Sequence, residues 1–390
     1  MSTRWARPLL VIVVAVTGVL LTVALARPHG NFDVRIYRGA VLSWIHGGDL
    51  YAFGLGRNHL GFTYPPFAAL VMAPLALVPQ GTAVLLNQVL IVLALGYSVW
   101  QCVRVLPHLR AYGELFVVGL VVPAALVLQP VRDTLTFGQV NICLAALVLL
   151  DLRLLRGASA WAGVGIGLAA AIKLTPGLFI LFLLVAGLRR PAVVAFLTAA
   201  GATAVAAAIA PRSSWTFWTE ALFDTSRVGS TDSATNQSLA GLLARIANAG
   251  SAPVIWLPLV ALAVGWGLWA ARLLWHRERY LAGFTVVGIT SSLASPISWV
   301  HHLWWVVPAV LLLAEEALAR RSRAWAVATL GLFVLWSSGV NDRTRAPAGE
   351  HHGWPALLGE NAYAVCLLAL VVALPLLLRE PLASGELWRR

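Results

Sequence analysis

Long apolar stretches recur along the chain, and many are close to the length that crosses a lipid bilayer. The first runs for 18 residues, from Leu9 to Ala26, without a charged side chain, and a membrane-spanning helix needs about 17–25 such residues. Overall, 59% of the residues are hydrophobic and 11% are charged, against about 45–50% and about 25% in soluble chains. A water-soluble globule is excluded, and a polytopic membrane protein is predicted.

The spans are predicted to be helices, because a membrane β-strand alternates apolar and polar side chains whereas these segments are apolar on every face. The segments at 66–79 and on either side of Lys173 are alternatively tilted or re-entrant pieces. We therefore expect an all-α bundle of about 11–12 transmembrane helices, forming a single domain over residues 1–390. The twelve candidate spans are residues 8–26, 81–102, 114–130, 139–154, 159–172, 176–188, 191–210, 253–271, 280–295, 302–319, 324–340 and 356–378.

The net charge of +12 would suggest nucleic acid as a partner in a soluble protein. Here the arginines cluster in short loops that can all share the cytoplasmic side, as the positive-inside rule requires, so membrane lipids are the expected partner and nucleic acid is not. We expect the first span to be retained rather than cleaved as a signal peptide. The remaining polar segments then fall on the outer side: residues 27–64, 132–141, 211–238, 295–302 and 341–355.

Two charged residues stand out in this apolar chain. Asp33 begins a stretch at 33–46 with helical apolar spacing, typical of a helix lying on the membrane surface. Its carboxylate is either a helix N-cap or a general base, held ionised by Arg35 or Arg38. Lys173 is the single lysine of the chain. It either extends its ammonium to the interface or binds an anion at a helix break next to Pro176.

Histidine, tyrosine and amide side chains supply the other candidates. Adjacent His301 and His302 lie among tryptophans at an outer boundary, where they either belong to an aromatic belt or give one phosphate contact. The segments at 138–141 and 236–241 are either helix caps or ligands for sugar hydroxyls and phosphate oxygens. Tyr64 precedes two prolines that are typical of a helix start. The three cysteines, Cys102, Cys143 and Cys366, indicate neither disulfides nor a metal site.

Six of these segments occur in the order found in the family 87 glycosyltransferases of the GT-C class, which the chain resembles from residue 33 to about 305. The version here is most similar to actinobacterial α-(1→2)-mannosyltransferases that build phosphatidylinositol mannosides, lipomannan and lipoarabinomannan. Residues 306–390 carry no motif and are expected to add only spans. The motifs are Asp33 with Tyr37, Phe-Thr-Tyr-Pro-Pro at 62–66, Gly-Gln-Val-Asn at 138–141, Lys-Leu-Thr-Pro at 173–176, Asn-Gln-Ser-Leu-Ala-Gly at 236–241 and Ser-Pro-Ile-Ser-Trp-Val-His-His at 295–302.

The resemblance implies an inverting transfer at the outer face of the plasma membrane, from a polyprenyl-phosphate sugar to a glycolipid or glycan acceptor. It maps the catalytic base onto Asp33. The donor phosphate is expected to bind Lys173, Arg132, His301 and His302. No Asp-x-Asp motif occurs, so neither metal nor cofactor is expected. The expected substrate-binding residues are Tyr37, Tyr64, Gln139, Asn141, Asn236 and Trp299.

Two other functions remain open at this stage. The same family resemblance includes polyprenyl-phosphate-arabinose-dependent arabinofuranosyltransferases, and the motifs do not separate five- from six-membered sugars. A secondary transporter could use Lys173 and the two histidines as a relay between broken helices. Against a transporter stand the lack of an internal repeat and the gathering of polar loops on one side.

Overall fold

The computed structural model describes residues 3–56, 59–224, 227–246, 252–344 and 353–380. Nearly all regular structure there is helical; the exception is an antiparallel pair, β1 (Gly54–Leu55) and β2 (Leu60–Gly61), in which Gly54 is opposite Gly61. The prediction of an all-α polytopic membrane protein is confirmed. Arg389 and Arg390, part of the last predicted cytoplasmic cluster, lie outside the described residues.

The α-helices follow one another with short connections. In chain order they are α1 (Thr3–Leu25), α2 (Phe32–Ile45), α3 (Pro66–Ala76), α4 (Gln80–Arg104), α5 (Pro107–Arg110), α6 (Glu114–Val127), α7 (Gln129–Phe137), α8 (Asn141–Arg156), α9 (Val164–Ile172), α10 (Leu178–Val185), α11 (Arg189–Ile209), α12 (Pro211–Thr216), α13 (Leu239–Ile246), α14 (Ala252–His276), α15 (Tyr280–Ala294), α16 (Val306–Ala319), α17 (Arg323–Ser338), α18 (Val340–Arg343), α19 (Trp354–Glu360) and α20 (Ala362–Leu377). Short 3-10 helices cover Thr175–Gly177 and Val300–His302, and a π-helix covers Phe217–Ala221.

Four of the described helices are long and apolar enough to cross a membrane by themselves. Two bent pairs raise this number to six: α6 with α7, which meet at 75°, and α19 with α20, which meet at 56°. Other predicted spans correspond to shorter helices, such as the 16 residues of α8 and the 15 of α15. The multi-pass character is therefore confirmed, whereas the count of about twelve stays a prediction.

The helix predicted after the first span is present as α2, with its apolar face turned into the protein. Its apolar face, which includes Val34, Ile36, Ala40 and Val41, is buried, and α2 packs against α3, α4 and α7. Burial of this face removes apolar area from water, which stabilises the position of α2. The helix is thereby fixed relative to the bundle, together with the polar residues on its first turn.

Close packing of small residues holds the broken span around Lys173 in place. Helices α9 and α11 approach each other at Gly163 and Gly167, where a Cβ would meet the α11 backbone. Asp151 on α8 is fully buried, and its carboxylate accepts hydrogen bonds from the amides of Gly163 (2.9 Å) and Ile166 (2.6 Å) at the start of α9. The cap satisfies amides that the first turn leaves free. It positions α9 and, at its other end, Lys173.

Two buried glutamates on α16 connect helices at the end of the bundle that carries the arginine-rich loops. Glu315 accepts hydrogen bonds from the His108 ring (2.8 Å) and from the amide of His108 (2.9 Å). Glu316 pairs with Arg279 (2.6 Å) and with Arg320 (2.7 Å). Buried carboxylates need such partners. They join helices that are distant in sequence into one end of the bundle.

Candidate active site

The polar segments predicted to share one side of the membrane converge on a single large cavity. Its volume is about 1160 Å³, slightly more than the roughly 300–1,000 Å³ of most small-molecule sites. All five segments contribute to its wall, and the break between α9 and α10 contributes as well. One lining residue from each of these six is Asp33, Gln139, Ser233, Trp299, Asp342 and Lys173.

Asp33 lies in the first turn of α2 and lines the cavity. The N-cap of this helix is Asn31, in the left-handed conformation with φ 53°, so the N-cap interpretation of Asp33 is wrong. The carboxylate oxygen Oδ2 is buried and has no hydrogen-bond partner among the described residues. Burial raises the pKa of Asp33 to about 7, although the Gln139 side chain and the Lys173 charge lower it. A carboxyl group of this kind suits proton transfer near neutral pH.

The arginines expected to keep Asp33 ionised do not do so. Arg35 is exposed, and the Arg38 guanidinium donates a hydrogen bond to the carbonyl oxygen of Val78 (2.9 Å). The successive positions of a helix diverge by about 100°, so residues two and five positions after Asp33 point elsewhere. Lys173 is instead the cation that acts on Asp33.

A hydrogen-bonded row of side chains forms the wall next to Asp33. The hydroxyls of Tyr37 and Tyr64 are 2.9 Å apart, and Tyr64 donates to Oε1 of Gln139 (3.0 Å). The hydroxyl of Tyr51 donates to the carbonyl oxygen of Tyr64 (2.9 Å). Three predicted substrate-binding residues thus come together from α2, the start of α3 and the end of α7. Their mutual bonds fix the orientation of the wall.

Lys173 has an extended backbone (φ −149°, ψ 132°) between α9 and the 3-10 helix that precedes α10, as the predicted helix break requires. Its Nζ donates to Oδ1 of Asn141 (2.9 Å) and lies 3.1 Å from Nε2 of His302. It also lies 5.1 Å from the centre of the Tyr64 ring, within cation–π distance. Only 9% of the lysine is exposed, so the ammonium points into the protein rather than to an interface.

His301 and His302 both line the cavity. They belong to a 3-10 helix, and their rings contact each other with centroids 4.7 Å apart. Burial, with the charge of Lys173, holds the pKa of both imidazoles well below the usual range. A neutral His302 can accept the hydrogen bond that Lys173 donates. The histidines are therefore uncharged polar contacts, and the phosphate contact predicted for them would be a hydrogen bond.

Three predicted ligands do not reach the cavity wall. Arg132 is buried on the other side of α7, where its Nη1 donates to the carbonyl oxygen of Val127 (2.5 Å). Asn141 holds Lys173 and also donates to the carbonyl oxygen of His301 (3.1 Å). Asn236 is fully buried and connects two loops: its Oδ1 accepts from the amide of Ser298 (2.8 Å), and it forms a β-bridge with Trp299. Asn141 and Asn236 position other residues.

The cavity also contains charged residues that sequence reasoning missed. Arg27, His29 and Asp133 line one part of it, and so do Asp342 and Glu360, so residues 306–390 contribute more than spans. For Asp133 the sequence did contain a signal, because this residue follows Arg132 in a segment that was already predicted to face outwards. Asp342 and Glu360 lay outside the motifs, and only the packing of the last helices brings them to the cavity.

No group of three or more histidine, cysteine, aspartate or glutamate side chains is arranged to hold a metal ion among the described residues. The three cysteines are free, and Cys102 is buried. They behave as small apolar residues, as expected.

The fold and this site define a membrane-embedded helical protein with a deep polar cavity, built around a buried carboxylate and an ammonium. The family model "Glycosyltransferase family 87" matches residues 62–296. The chain belongs to glycosyltransferase family 87, and it is a glycosyltransferase.

Curated relatives agree with this assignment over most of the chain. A polyprenol-phosphate-mannose-dependent alpha-(1-2)-phosphatidylinositol mannoside mannosyltransferase of Mycobacterium tuberculosis is 32% identical over 323 residues, which are 78% of this chain and 75% of that protein. The protein of the same name from Mycolicibacterium smegmatis is 33% identical, over 80% of this chain and 77% of its own. A phosphatidylinositol pentamannoside mannosyltransferase of M. tuberculosis is 32% identical, over 84% and 78%. No solved structure matches the chain.

Proposed function

We propose that this enzyme transfers a mannosyl residue from a polyprenyl-phosphate donor to a mannoside of phosphatidylinositol, forming an α-(1→2) bond. The relatives that share about a third of their residues with this chain are named for that donor and that class of acceptor. The cavity has room for a sugar and its acceptor together. The acceptor hydroxyl and the donor phosphate would then occupy different parts of the same wall.

The observation that carries the proposal is the carboxylate of Asp33. It lines the cavity, one oxygen is buried with no hydrogen-bond partner in the part of the chain that the structure describes, and its pKa lies at about 7. Such a group accepts a proton at neutral pH, whereas a structural carboxylate would have its oxygens occupied by donors. We assign it the role of general base.

The transfer step needs one base because the donor already carries its leaving group. Asp33 takes the proton of the acceptor hydroxyl, and the oxygen attacks the anomeric carbon from the face opposite the phosphate. The bond from that carbon to the phosphate oxygen breaks, and its electron pair stays on the polyprenyl phosphate. A β-linked donor thus gives an α-linked product through an oxocarbenium-like transition state.

The departing phosphate gains negative charge, and we assign its stabilisation to Lys173. His302 lies 3.1 Å from the ammonium and can add a hydrogen bond to the same phosphate. A cation fixed in a cavity away from bulk water stabilises developing charge more strongly than a mobile one. With this arrangement we expect transfer to need no added metal or cofactor.

We place the reaction at the outer face of the plasma membrane. The support is the distribution of charge. The arginine-rich loops and the loops that line the cavity are different segments of the chain, and basic loops stay in the cytoplasm. A lipid-linked donor can then enter the cavity while its hydrocarbon chain remains in the bilayer.

The test uses purified enzyme with a phosphatidylinositol mannoside acceptor and labelled polyprenyl-phosphate mannose or, in parallel, polyprenyl-phosphate arabinose. We expect label to move from the mannose donor, with the same rate in excess EDTA. Transfer from the arabinose donor alone would replace the proposal with an arabinofuranosyltransferase. Label that stays on both donors would contradict the proposed activity.

A further inference from the structure

One part of the cavity carries an acidic group that the proposed reaction leaves unused. Asp133 on α7 and Asp342 on α18 both line this part, with Arg27 and His29 from the loop before α2. Asp342 is occupied: Arg27 lies 3.4 Å from its carboxylate, and the Gln129 amide donates to it (3.0 Å).

Asp133 differs from Asp342 because its neighbours are engaged elsewhere. Only 8% of Asp133 is exposed, and its carboxylate makes no ion pair of 4 Å or less with a described residue. The Gln129 amide lies near it but forms its short bond to Asp342, while the Gln129 oxygen accepts from Tyr363 (2.8 Å). A carboxylate offers about four acceptor positions; the Gln129 side chain and the charge of Arg132 act on Asp133, and positions remain for a ligand.

A second polar group without a partner lies on the same wall. His301 is 6% exposed, and its Nε2 is buried with no hydrogen-bond partner among the described residues. Its ring contacts Phe137 with centroids 4.8 Å apart, and Phe137 stacks on His29 at 3.8 Å. Because Asp133 and Phe137 are four residues apart on α7, both lie on one face of the helix, and both line the cavity.

This wall leads from the acidic group to Lys173 and the base. The rings of His301 and His302 are in contact, and His302 reaches Lys173. Gly138, the residue that ends α7, packs against Val34, the residue after Asp33. Asp133 is therefore five residues, roughly 7.5 Å along the helix axis, from the end of α7 that contacts the start of α2.

The charges along this wall favour different ligands at its two ends. A phosphate is attracted to Lys173 and repelled by a carboxylate, so the donor phosphate belongs away from Asp133. A sugar is uncharged and presents neighbouring hydroxyls, which a carboxylate binds by strong, charge-assisted hydrogen bonds. The side of the cavity opposite the phosphate is also where the attacking acceptor must lie.

We propose that Asp133 binds the hydroxyls of the acceptor's terminal sugar, with His301 as a second polar contact, and so determines which sugar presents its hydroxyl to Asp33. This inference rests on the proposed function. It assigns to α7 a role in acceptor specificity, separate from the donor contacts of Lys173.

The experiment compares wild type with Asp133→Asn, using mannoside acceptors that each lack one hydroxyl. With the complete acceptor, Asp133→Asn should raise the KM for the acceptor about 10- to 100-fold and leave the KM for the donor unchanged. Wild type should lose about 10-fold or more in kcat/KM when the contacted hydroxyl is removed. Asp133→Asn should lose little further on that acceptor, because both changes delete the same contact.

Asp49→Asn is the matched control, since Asp49 is not among the residues that line the cavity, is exposed and accepts a hydrogen bond from the amide of Tyr51 (2.7 Å). It removes the same charge and should keep the wild-type KM for the acceptor. An unchanged acceptor KM in Asp133→Asn, or discrimination among the deoxy acceptors equal to wild type, would overturn the proposal.

Two measurements separate folding from binding and this inference from the proposed function. If Asp133→Asn does not fold, the wild-type measurements on the deoxy acceptors decide the question. An unchanged kcat/KM on every deoxy acceptor would show that no carboxylate contacts an acceptor hydroxyl. Wild type that transfers mannose while Asp133→Asn behaves normally contradicts only the acceptor site. Wild type that transfers no mannose contradicts both.

Discussion

At the scale of single residues, the proposed chemistry depends on how few donors surround the Asp33 carboxylate. Replacing Asp33 by Asn keeps the shape but removes the ability to accept a proton, so we expect transfer to fall by about 10²- to 10⁴-fold while donor binding persists. The measurement is the initial rate of label transfer beside a donor-binding assay. Asp49→Asn is the control, because Asp49 lies in the same segment and caps a turn at Tyr51 (2.7 Å). Wild-type rates in Asp33→Asn would assign the base elsewhere.

The pKa of Asp33 also predicts opposite effects of pH on activity and stability. Below about pH 7 the carboxyl group is protonated, so kcat/KM should fall as the pH is lowered through about 7. A pKa raised above the unfolded value means that the folded state favours the neutral form, so the stability that Asp33 contributes decreases as the pH rises towards 7. The melting temperature of Asp33→Asn should therefore exceed that of wild type by a margin that grows from pH 5 to pH 8.

A margin that stayed constant over this range would show that Asp33 does not titrate there. The comparison uses the difference between the two proteins, so groups that titrate equally in both cancel. Detergent and ionic strength are held constant for the same reason.

Lys173 provides the third prediction at this scale. Lys173→Met removes a buried charge but keeps the apolar stem, so the donor-free protein should be as stable as wild type or more stable. It should bind polyprenyl phosphate more weakly and transfer more slowly, whereas Lys173→Arg should recover part of both. Arg35→Met, which removes an exposed cation near Asp33, is the control. Undiminished binding of polyprenyl phosphate by Lys173→Met would leave the lysine a structural role only.

At the scale of elements, the position of Asp33 depends on how α7 ends. Gly138 ends this helix in the left-handed conformation, with φ 74°, and a Cβ there would lie 2.9 Å from Val34. Gly138→Ala should therefore lower the melting temperature and the rate of transfer together, since backbone strain of this kind costs about 1–2 kcal/mol before the clash is relieved. Gly96→Ala in α4, where a Cβ would meet nothing within 4 Å, is the control and should be neutral or stabilising. A Gly138→Ala protein with wild-type activity and stability would contradict the role of this contact.

The elements that carry the site were largely predictable from sequence, and their contacts were not. The helix after the first span, the break at Lys173 and the helix starts after Pro65 and at Asn141 all follow from local patterns, and each is present. Sequence patterns state which residues share a face of one helix. They do not state that Arg132 turns away from the cavity while Asp133, the next residue, faces it, because that depends on the rotation of α7 against its neighbours.

The same limit explains the residues that changed role. Asn141 and Asn236 were predicted as ligands from their type and position, and both use their amides on other parts of the chain. An asparagine that holds a lysine or a loop looks the same in sequence as one that holds a sugar. The tertiary partners that distinguish these roles lie 32 and 62 residues away.

At the scale of the whole molecule, the side on which the cavity opens can be tested by chemical labelling. In a background with Cys102, Cys143 and Cys366 replaced by serine, His46→Cys should react with an impermeant thiol reagent in sealed cells, and Arg189→Cys should not. Both positions are exposed at chain segments predicted to face opposite sides. Permeabilised cells provide the control, since both cysteines should then react. Equal labelling in sealed cells would contradict the proposed orientation.

Hydropathy also predicts the architecture better than the number of spans. Four described helices cross a membrane by length and composition, and bent pairs such as α6 with α7 extend this number to six. Around the cavity the helices are short and broken because polar backbone is tolerated where it faces a polar space. A window that averages hydropathy cannot distinguish a short helix beside such a space from a complete span.

The participation of both ends of the chain in one cavity has a consequence for biogenesis. Tyr363 on α20 donates a hydrogen bond to Gln129 on α7, 234 residues earlier. Asp342, near the end of the chain, and Asp33, near its start, line the same cavity. The ribosome delivers α2 to the translocon long before these last helices. A chain interrupted after α15 contains Asp33 and Lys173. It lacks His301, His302 and the part of the cavity wall that the last helices form. Such a truncated chain lacks part of the cavity wall, so we expect it to have no transfer activity.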